Sequence, residues 1–227
     1  MDESLLDNAI WHALGGPQAA FRVPGGRRVR RYEPAFAAFA ATERETDEAA
    51  LRAEIPPGAA AILFTSEPLQ PEGFAREAGG PLLEMLATAP PPTSRRPPFR
   101  RLGADDVPAV QALVKLTQPG PFFARTMELG DFFGIFEGGQ LVAIAGERLR
   151  LPGFAEVSAV ATHPDHRGRG YAKVLISAVM ESMASRGDRA FLHVWPDNVS
   201  AIAAYTALGF LPRRLMHVAM LRRVIET

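Results

Sequence analysis

Two closely spaced glycines, flanked by three cationic side chains, form the segment of this sequence best suited to hold a phosphate group. Gly168 and Gly170 follow a short β-branched run, and Arg167, Arg169 and Lys173 surround them. A helical run begins directly after the second glycine. The first backbone N–H groups of a helix lack internal partners and lie at the positive end of its dipole, so they bind anions. This arrangement predicts a site for a ligand with several phosphates.

The elements around these glycines predict a mixed α/β sheet. A strand over Val157–Thr162 precedes the turn, a helix over Gly170–Ser185 follows it, and a strand over Phe191–Trp195 comes next. Because a helix joins the two strands, we expect them to be parallel neighbours. Gly138 and Gly139 predict an antiparallel hairpin upstream. Further predicted elements are strands over Phe99–Leu102, Asp131–Phe136, Gln140–Arg148 and Leu215–Leu221 and helices over Asp105–Leu116 and Asn198–Leu208.

A proline-rich segment over residues 91–98 divides the chain. Proline cannot continue a helix or a central strand, so this segment predicts a semi-rigid linker. We expect a smaller N-terminal α/β subdomain over residues 1–90 and the main domain over residues 99–227. The subdomain carries no catalytic motif, which predicts a packing or dimerisation role. Its predicted elements are helices over Pro34–Thr42, Asp47–Ala53 and Gly80–Ala87 and a strand over Ala60–Thr65.

Composition excludes several classes of function. Basic and acidic residues number 25 each, which gives no reason to expect nucleic acid as a partner. The basic residues concentrate in residues 95–227, which hold 17 of them, as expected if that part receives an anionic ligand. The chain has no cysteine, which removes disulfides and thiolate chemistry. His163 and His166 lack a third ligand nearby, so no metal is expected. Without an apolar run long enough to span a bilayer or a basic leader, we expect no membrane partner and a cytoplasmic location.

Two motifs resemble those of the GCN5-related N-acetyltransferase (GNAT) superfamily. The spacing Arg167-x-x-Gly170-x-Ala172 is similar to its pyrophosphate signature, Gln/Arg-x-x-Gly-x-Gly/Ala. The superfamily also has an asparagine that opens a helix, a tyrosine within it and a Gly-Phe after it, a pattern similar to Asn198, Ala201, Tyr205 and Gly209-Phe210. Residues 156–172 further resemble the FR47-like branch. The resemblance implies, over residues 99–227, a mostly antiparallel sheet whose central parallel strands splay apart to hold CoA, with a reduced relative of the same half-fold before it.

The resemblance also implies an acetyl-CoA-dependent N-acetyltransferase that moves an acetyl group directly to an amine, with acetyl-CoA as co-substrate. The pyrophosphate would be held by backbone N–H groups of Arg167, Gly168, Arg169, Gly170, Tyr171 and Ala172. The strand edge of Ala159, Val160 and Ala161 would pair with the pantetheine arm as an added strand would. Asn198 would contact the same arm. The acceptor does not follow from the resemblance, because the superfamily varies its acceptor sites.

Catalytic roles follow from the implied reaction. Tyr205 would be the general acid that protonates the departing thiolate. A backbone N–H near Val160, where the superfamily has a β-bulge, would meet the developing oxyanion. An alkylammonium must lose a proton before it can attack, at a cost of about 5 kcal/mol at pH 7. Glu156 and Glu147 are candidate bases, and a charged strand edge or a substrate anchor is the alternative for each.

The predicted acceptor site lies between the first helix of the main domain and the hairpin. Pro119, Gly120 and Pro121 fix a bend there, and Phe122 and Phe123 add more apolar surface than a solvent loop needs. We expect one of these rings to pack on the core and the other to line the acceptor pocket. Arg125 would pair with a carboxylate on the acceptor.

Two other functions are compatible with the glycine turn. A non-catalytic CoA-binding or protein-interaction module would use the turn but would not need Tyr205 and both glutamates. A dinucleotide-binding protein would have a third glycine at the position of Lys173 and would begin a domain with the turn. Asp197 could then act as the ribose-binding acid. The enzyme is the favoured interpretation of the three.

Overall fold

The computed structural model describes residues 1–44, 47–90 and 97–225. Within these ranges the chain forms five α-helices and ten strands. The helices are α1 (Ala9–Leu14), α2 (Glu48–Glu54), α3 (Val107–Thr117), α4 (Tyr171–Ser185) and α5 (Val199–Thr206). The strands are β1 (Val29–Arg31), β2 (Ala40–Thr42), β3 (Ala60–Thr65), β4 (Phe74–Ala87), β5 (Arg100–Arg101), β6 (Phe132–Glu137), β7 (Gln140–Leu151), β8 (Phe154–Thr162), β9 (Arg189–Val194) and β10 (Phe210–Arg223).

Eight of these strands form one sheet in the order β3-β10-β4-β9-β8-β7-β6-β5. Neighbouring strands are antiparallel throughout, except that β8 and β9 are parallel. Strands β1 and β2 form a separate antiparallel pair. The predicted mixed, mostly antiparallel sheet with a central parallel pair is therefore confirmed.

The two faces of the sheet pack against different elements. Adjacent residues of β7 alternate between two cores, because successive side chains of a strand point to opposite faces. Ala143 and Ala145 pack with α4, whereas Ile144 packs with Val110 and Leu113 of α3. The end of β7, at Leu149 and Leu151, and the start of β8, at Phe154, pack with α1. Helix α4 therefore covers one face of the sheet, and α1 and α3 cover the other.

The predicted helix over Gly80–Ala87 is wrong, because these residues are the end of β4. The strand lies between β9 and β10, where Leu83 pairs with Val194 and Ala87 pairs with Phe210. Both faces of its last residues are buried, so the sequence shows a continuous apolar run instead of the alternation of a half-exposed strand. Such a run cannot be told from a buried helix by its periodicity.

The predicted helix over Pro34–Thr42 is also wrong. Its alanines favour a helix locally, but the segment runs to strand β2. The backbone of Ala38 accepts a hydrogen bond from the N–H of Ile62, and the Phe39 side chain is buried. Tertiary pairing with β3 therefore overrides the local preference. The other two N-terminal predictions are confirmed as α2 and β3.

The predicted elements of the main domain are present from β5 to β10. Strand β10 is longer than predicted, because Phe210 to Pro212 also pair with β4. The proposed linker falls mostly on residues 91–96, which lie outside the described residues, and the two-part division of the chain stays a prediction. Strands β3 and β4 from before residue 91 share one sheet with β9 and β10. No helix in the described ranges is long and apolar enough to cross a membrane.

Candidate active site

A cleft opens where the parallel strands β8 and β9 separate. The two strands pair only from Phe154 to Glu156 of β8 with Arg189 to Phe191 of β9. Beyond Glu156 the strands diverge, and a cleft of about 500 Å³ lies between them. Residues from seven segments line it, among them Val160, Arg167, Trp195, Asn198 and Tyr205. The free edge of β8 is therefore accessible to an extended ligand.

Strand β8 contains the predicted bulge beside this cleft. Strands β7 and β8 pair at Gly146 and Ser158 and again at Ile144 and Ala161, so two residues of β8 lie opposite one of β7. Ala159, within this step, has φ of 51°, which is rare for a residue with a side chain. The bulge turns local backbone groups out of the regular ladder at the cleft wall.

The glycine turn requires glycine at two positions. Gly168 and Gly170 have φ of 78° and 79°, in the left-handed region that side chains disfavour. A Cβ atom on either residue would contact no other atom within 4 Å, so strain and not crowding by the protein selects glycine here. Gly170 is the N-cap of α4, and no side chain caps the helix. The first N–H groups of α4 are therefore free to bind an anion.

The cations of the turn have different partners. Arg167 lines the cleft and is exposed. Arg169 pairs with Glu137 at 2.9 Å, and the Tyr171 hydroxyl donates to the same carboxylate. The hydrogen bond from Tyr171 is the largest cause that lowers the pKa of Glu137 below its ordinary value. Glu137 therefore stabilises the glycine turn through Arg169 and Tyr171, while the Arg167 side chain lies in the cleft and can contact a ligand.

Asn198 and Tyr205 both lie on α5 at the cleft wall. The Asn198 side chain caps the helix by accepting a hydrogen bond from the N–H of Ala201 at 3.2 Å. Tyr205 packs edge-on against Phe210, with ring centroids 6.1 Å apart. Burial raises the pKa of Tyr205 above its ordinary value of 10.0. Within the described ranges the Tyr205 hydroxyl makes no hydrogen bond, so it can serve a ligand.

Glu156 is at the centre of a buried charge network. Arg148 donates to both of its carboxylate oxygens at 2.8 and 2.5 Å, and His193 Nδ1 lies 2.7 Å from Oε1. Burial acts to raise the pKa of Glu156, but the charges and hydrogen bonds of Arg148 and His193 outweigh it and lower the pKa to about 2. Glu156 is therefore a stable anion at neutral pH and a weak base.

His193 joins this network to a second buried carboxylate, Glu84 of β4. Its Nε2 lies 3.5 Å from Glu84 Oε2, and Arg213 pairs with the other oxygen of Glu84 at 2.7 Å. Burial acts to lower the pKa of His193, but Glu156 and Glu84 outweigh it and raise the pKa. The two carboxylates that flank His193 therefore favour its protonated form. Arg148, His193 and Glu84 were not predicted as site residues from the sequence, although a charged residue within an apolar strand is itself a signal of a buried pair.

Glu147 lies on the opposite face of β7 from Arg148. Arg186 at the end of α4 donates to both of its carboxylate oxygens, at 2.7 and 2.8 Å. Burial raises the pKa of Glu147, and Arg186 offsets this only in part. The structure thus places the two predicted bases on different faces of the sheet, and neither carboxylate lines the cleft.

Only part of the segment predicted to hold the acceptor, residues 119–125, reaches the cleft. Pro119 and Gly120 line the cleft, and Phe122 packs edge-on against Phe132 in the core. Phe123 is half-buried and does not line the cleft. Arg125 is exposed, donates to both oxygens of Glu128 at 2.7 Å, and stacks on Phe36. The bend at Pro119 thus reaches the cleft, and the guanidinium of Arg125 is directed away from it.

Comparison with known proteins identifies the family. Residues 132–217 match the family described as FR47-like protein. The crystal structure of a GNAT-family protein from Novosphingobium aromaticivorans is 39% identical to this chain, and the match covers 97% of this chain and 99% of that one with a TM-score of 0.89. The chain belongs to the GNAT family.

Two curated relatives are similar to parts of this GNAT protein. The N-alpha-acetyltransferase RimI of Mycobacterium tuberculosis is 37% identical over 99 residues, and the mycothiol acetyltransferase of Corynebacterium aurimucosum is 42% identical over 60 residues. These matches cover 40% and 26% of this chain. The chain spans 61% of the first relative's length and 20% of the second's. The relatives therefore support the family and leave the acceptor open.

The cleft fits the co-substrate that the GNAT family implies. It offers an unpaired strand edge, an uncapped helix N-terminus and an exposed guanidinium, which suit an amide-bearing arm and a pyrophosphate. In the described residues no group of three or more His, Cys, Asp or Glu side chains could hold a metal ion.

Proposed function

We propose that this protein transfers an acetyl group from acetyl-CoA to an amine by direct transfer. The observation that carries the proposal is the cleft between β8 and β9, which opens directly beside the glycine turn at the start of α4. An anion site and an unpaired strand edge in this order suit a ligand with a pyrophosphate and an amide-bearing arm.

Each wall of the cleft has its own binding role in this proposal. The backbone N–H groups of residues 168–172 and the Arg167 side chain hold the pyrophosphate, since the N–H of Arg167 already donates to the carbonyl of Pro164. The edge of Ala159, Val160 and Ala161 pairs with the pantetheine arm, and Asn198 contacts the same arm through its amide nitrogen. That nitrogen is available because the Asn198 oxygen caps α5. Arg169 acts on the turn through Glu137 and not on the ligand.

Acetyl-CoA supplies a thioester whose carbonyl carbon exchanges its bond to sulfur for a bond to the amine nitrogen. The nitrogen lone pair forms the new C–N bond, the C–S bond breaks, the nitrogen loses one proton, and the sulfur gains one. The Tyr205 hydroxyl donates the proton that sulfur takes up, and the phenol recovers it from the solvent-connected cleft. The N–H of Val160 at the bulge donates to the carbonyl oxygen as negative charge develops there.

The acceptor amine must reach this site without its extra proton. Glu156 is unsuited to remove the proton, because its pKa is about 2. Glu147 lies on the other face of the sheet in a bidentate pair with Arg186. We therefore assign Glu156 a positioning role, since it fixes Arg148 and His193 at the cleft. Partial desolvation of the amine in the cleft lowers its pKa and favours its neutral form.

A thiol-release assay tests the proposal. Because the chain has no cysteine, a thiol reagent in the reaction reports only free CoA. Wild-type protein with acetyl-CoA and a panel of amines is expected to release thiol at a rate that depends on the amine. The Gly170→Val variant serves as the inactive reference. If CoA protects the protein against thermal unfolding but no amine increases thiol release, the protein is a CoA-binding module and not an enzyme.

A further inference from the structure

A second pocket adjoins the cleft on the face of the sheet that carries Arg148. Its volume is about 110 Å³. Arg148, His193 and Trp195 line both cavities, so the pocket lies next to the point where β8 and β9 separate. The rest of its wall comes from both ends of the chain, mainly from Phe39, Ile62, Phe64, Val218 and Met220. A group in this pocket would lie beside the reacting end of the cleft.

The wall of the pocket is apolar and firmly packed. Phe39 and Ile62 are 2% and 6% exposed, and Val218 is also buried. The rings of Phe39 and Phe64 lie 5.4 Å apart, and Phe64 lies 4.5 Å from the imidazole of His193. An apolar cavity of about 150 Å³ accepts a benzene ring. The somewhat smaller volume here suits an aliphatic group of roughly four carbons.

The charged groups at the pocket are cations. Arg148 and His193 line it, and no carboxylate among the described residues does so. Glu156 and Glu84 lie behind His193, fully buried. Because their carboxylate partners lie behind them, these donors present N–H groups to the pocket and suit a hydrogen-bond acceptor such as a carboxylate.

Arg148 is held in one orientation with one edge unused. Its Nε and Nη2 bind Glu156, and its guanidinium lies over the Phe39 ring, 4.7 Å from the centroid. Its Nη1 makes no hydrogen bond to any residue that the structure describes, and the side chain is 14% exposed. A fixed guanidinium with a free N–H edge in a mostly apolar site is suited to bind a carboxylate.

We propose that the acceptor is a free amino acid with a medium-sized aliphatic side chain, whose carboxylate binds Arg148 Nη1 while its side chain fills the pocket walled by Phe64 and Met220. The inference rests on the proposed function, because it places the amine beside the thioester. The α-amine lies one carbon from the carboxylate, so one orientation satisfies Arg148 and directs the nitrogen to the cleft. A peptide N-terminus lacks this neighbouring carboxylate.

The first experiment compares acceptors on the wild-type protein by thiol release. Leucine is expected to exceed leucinamide, which lacks the carboxylate, by at least about tenfold in kcat/KM, the range of a charge-assisted hydrogen bond. Leucine should exceed glycine by a similar factor, because glycine leaves the pocket empty. Equal or faster reaction of leucinamide, or of a peptide that begins with leucine, would overturn the proposal.

The second experiment changes the pocket. Arg148→Lys keeps the positive charge but loses the planar set of guanidinium N–H donors. The ratio of kcat/KM for leucine to kcat/KM for leucinamide should therefore fall towards one. Arg222→Lys is the matched control, because Arg222 is also paired with a glutamate, Glu77, but lies outside the pocket and should keep the ratio. Met220→Ala widens the wall and should shift preference from leucine to phenylalanine. If Arg148→Lys does not fold, the proposal is tested by Met220→Ala and by the comparison of acceptors on the wild-type protein. An unchanged preference for leucine over phenylalanine in Met220→Ala would contradict the proposal.

A binding measurement separates this proposal from the proposed function. Calorimetric titration of the CoA-bound protein with leucine and with leucinamide requires no catalysis. Tighter binding of leucine than of leucinamide, without thiol release in the presence of any amine, would reject acetyl transfer and support amino-acid binding in the pocket. Thiol release with no preference for a carboxylate, in binding or in rate, would keep the transferase and reject the amino acid as its acceptor.

Discussion

The site proposed for CoA (the CoA side) and the pocket proposed for the acceptor (the acceptor side) are built in different ways. The CoA side uses a strand, a turn and a helix that follow one another within residues 156–185, and the groups proposed to bind CoA are mostly backbone atoms. The acceptor pocket collects side chains from positions as distant as Phe39 and Met220. The CoA side depends on local backbone geometry, which short sequence motifs specify. The acceptor side depends on tertiary packing, which short motifs do not specify.

The largest expected effect concerns the CoA side. Gly170→Val places a β-branched residue at φ of 79° and alters the backbone N–H groups that would bind phosphate. We expect the variant to lose thermal protection by CoA and to release no thiol. Gly25→Val is the matched control, because Gly25 has φ of 92°, equally open surroundings and a position outside the cleft. Similar loss of CoA protection in both variants would show that strain alone, and not the phosphate site, explains the result.

The next prediction concerns the chemistry between the two sides. Tyr205→Phe removes the hydroxyl that we propose as the proton donor to the departing sulfur, so kcat should fall by roughly tenfold to a thousandfold. CoA binding, measured by titration calorimetry, should change little, because the ring still packs on Phe210. A raised KM for acetyl-CoA with unchanged kcat would make Tyr205 a packing residue of the CoA side.

A smaller effect is expected from the buried network that supports the acceptor side. The pKa of Glu156 is about 2 in the folded protein, below its ordinary 4.5. Its ion pairs therefore contribute stability above pH 4.5, and the folded state loses this contribution as the pH falls towards 2. Glu156→Gln should lower the melting temperature at pH 6 and flatten its dependence on pH below 4.5. Parallel melting curves for both proteins between pH 6 and pH 3 would contradict this account of the network.

The smallest expected effect is that of Arg125→Ala. Arg125 is exposed, pairs with Glu128 and lines neither cavity. We expect the KM values for both substrates to change by less than about threefold, since an exposed pair contributes little. A large rise in the KM of the acceptor alone would return the acceptor site to the segment that contains Phe122 and Phe123.

The sequence predicts the main domain well because its signals are local. Gly138 and Gly139 mark a hairpin, and Gly170 and Gly187 bound α4. The sequence does not predict β4, because a strand buried on both faces loses its alternation. The same difference separates the two sides of the site, because the glycine turn is predicted from its paired glycines, the cations beside them and the strand and helix around them.

The acceptor side could have been approached only through its charges. Glu84 lies within the run Leu-Leu-Glu-Met-Leu, and His193 lies within Phe-Leu-His-Val-Trp. A titratable residue in a buried strand requires partners, because an isolated buried charge is costly. The sequence does not show that these two residues and Arg148 meet, because their strands are far apart in the chain and join only in the sheet.

The position of β4 between β9 and β10 also constrains how the chain folds. Leu83 must pair with Val194, and Ala87 with Phe210, across about half of the sequence. During synthesis the apolar end of β4 therefore leaves the ribosome well before either partner strand exists. Contacts of such long sequence separation slow folding and leave an unpaired strand exposed to association with other chains. We expect this protein to depend on chaperones during synthesis more than a GNAT chain whose sheet is built in sequence order.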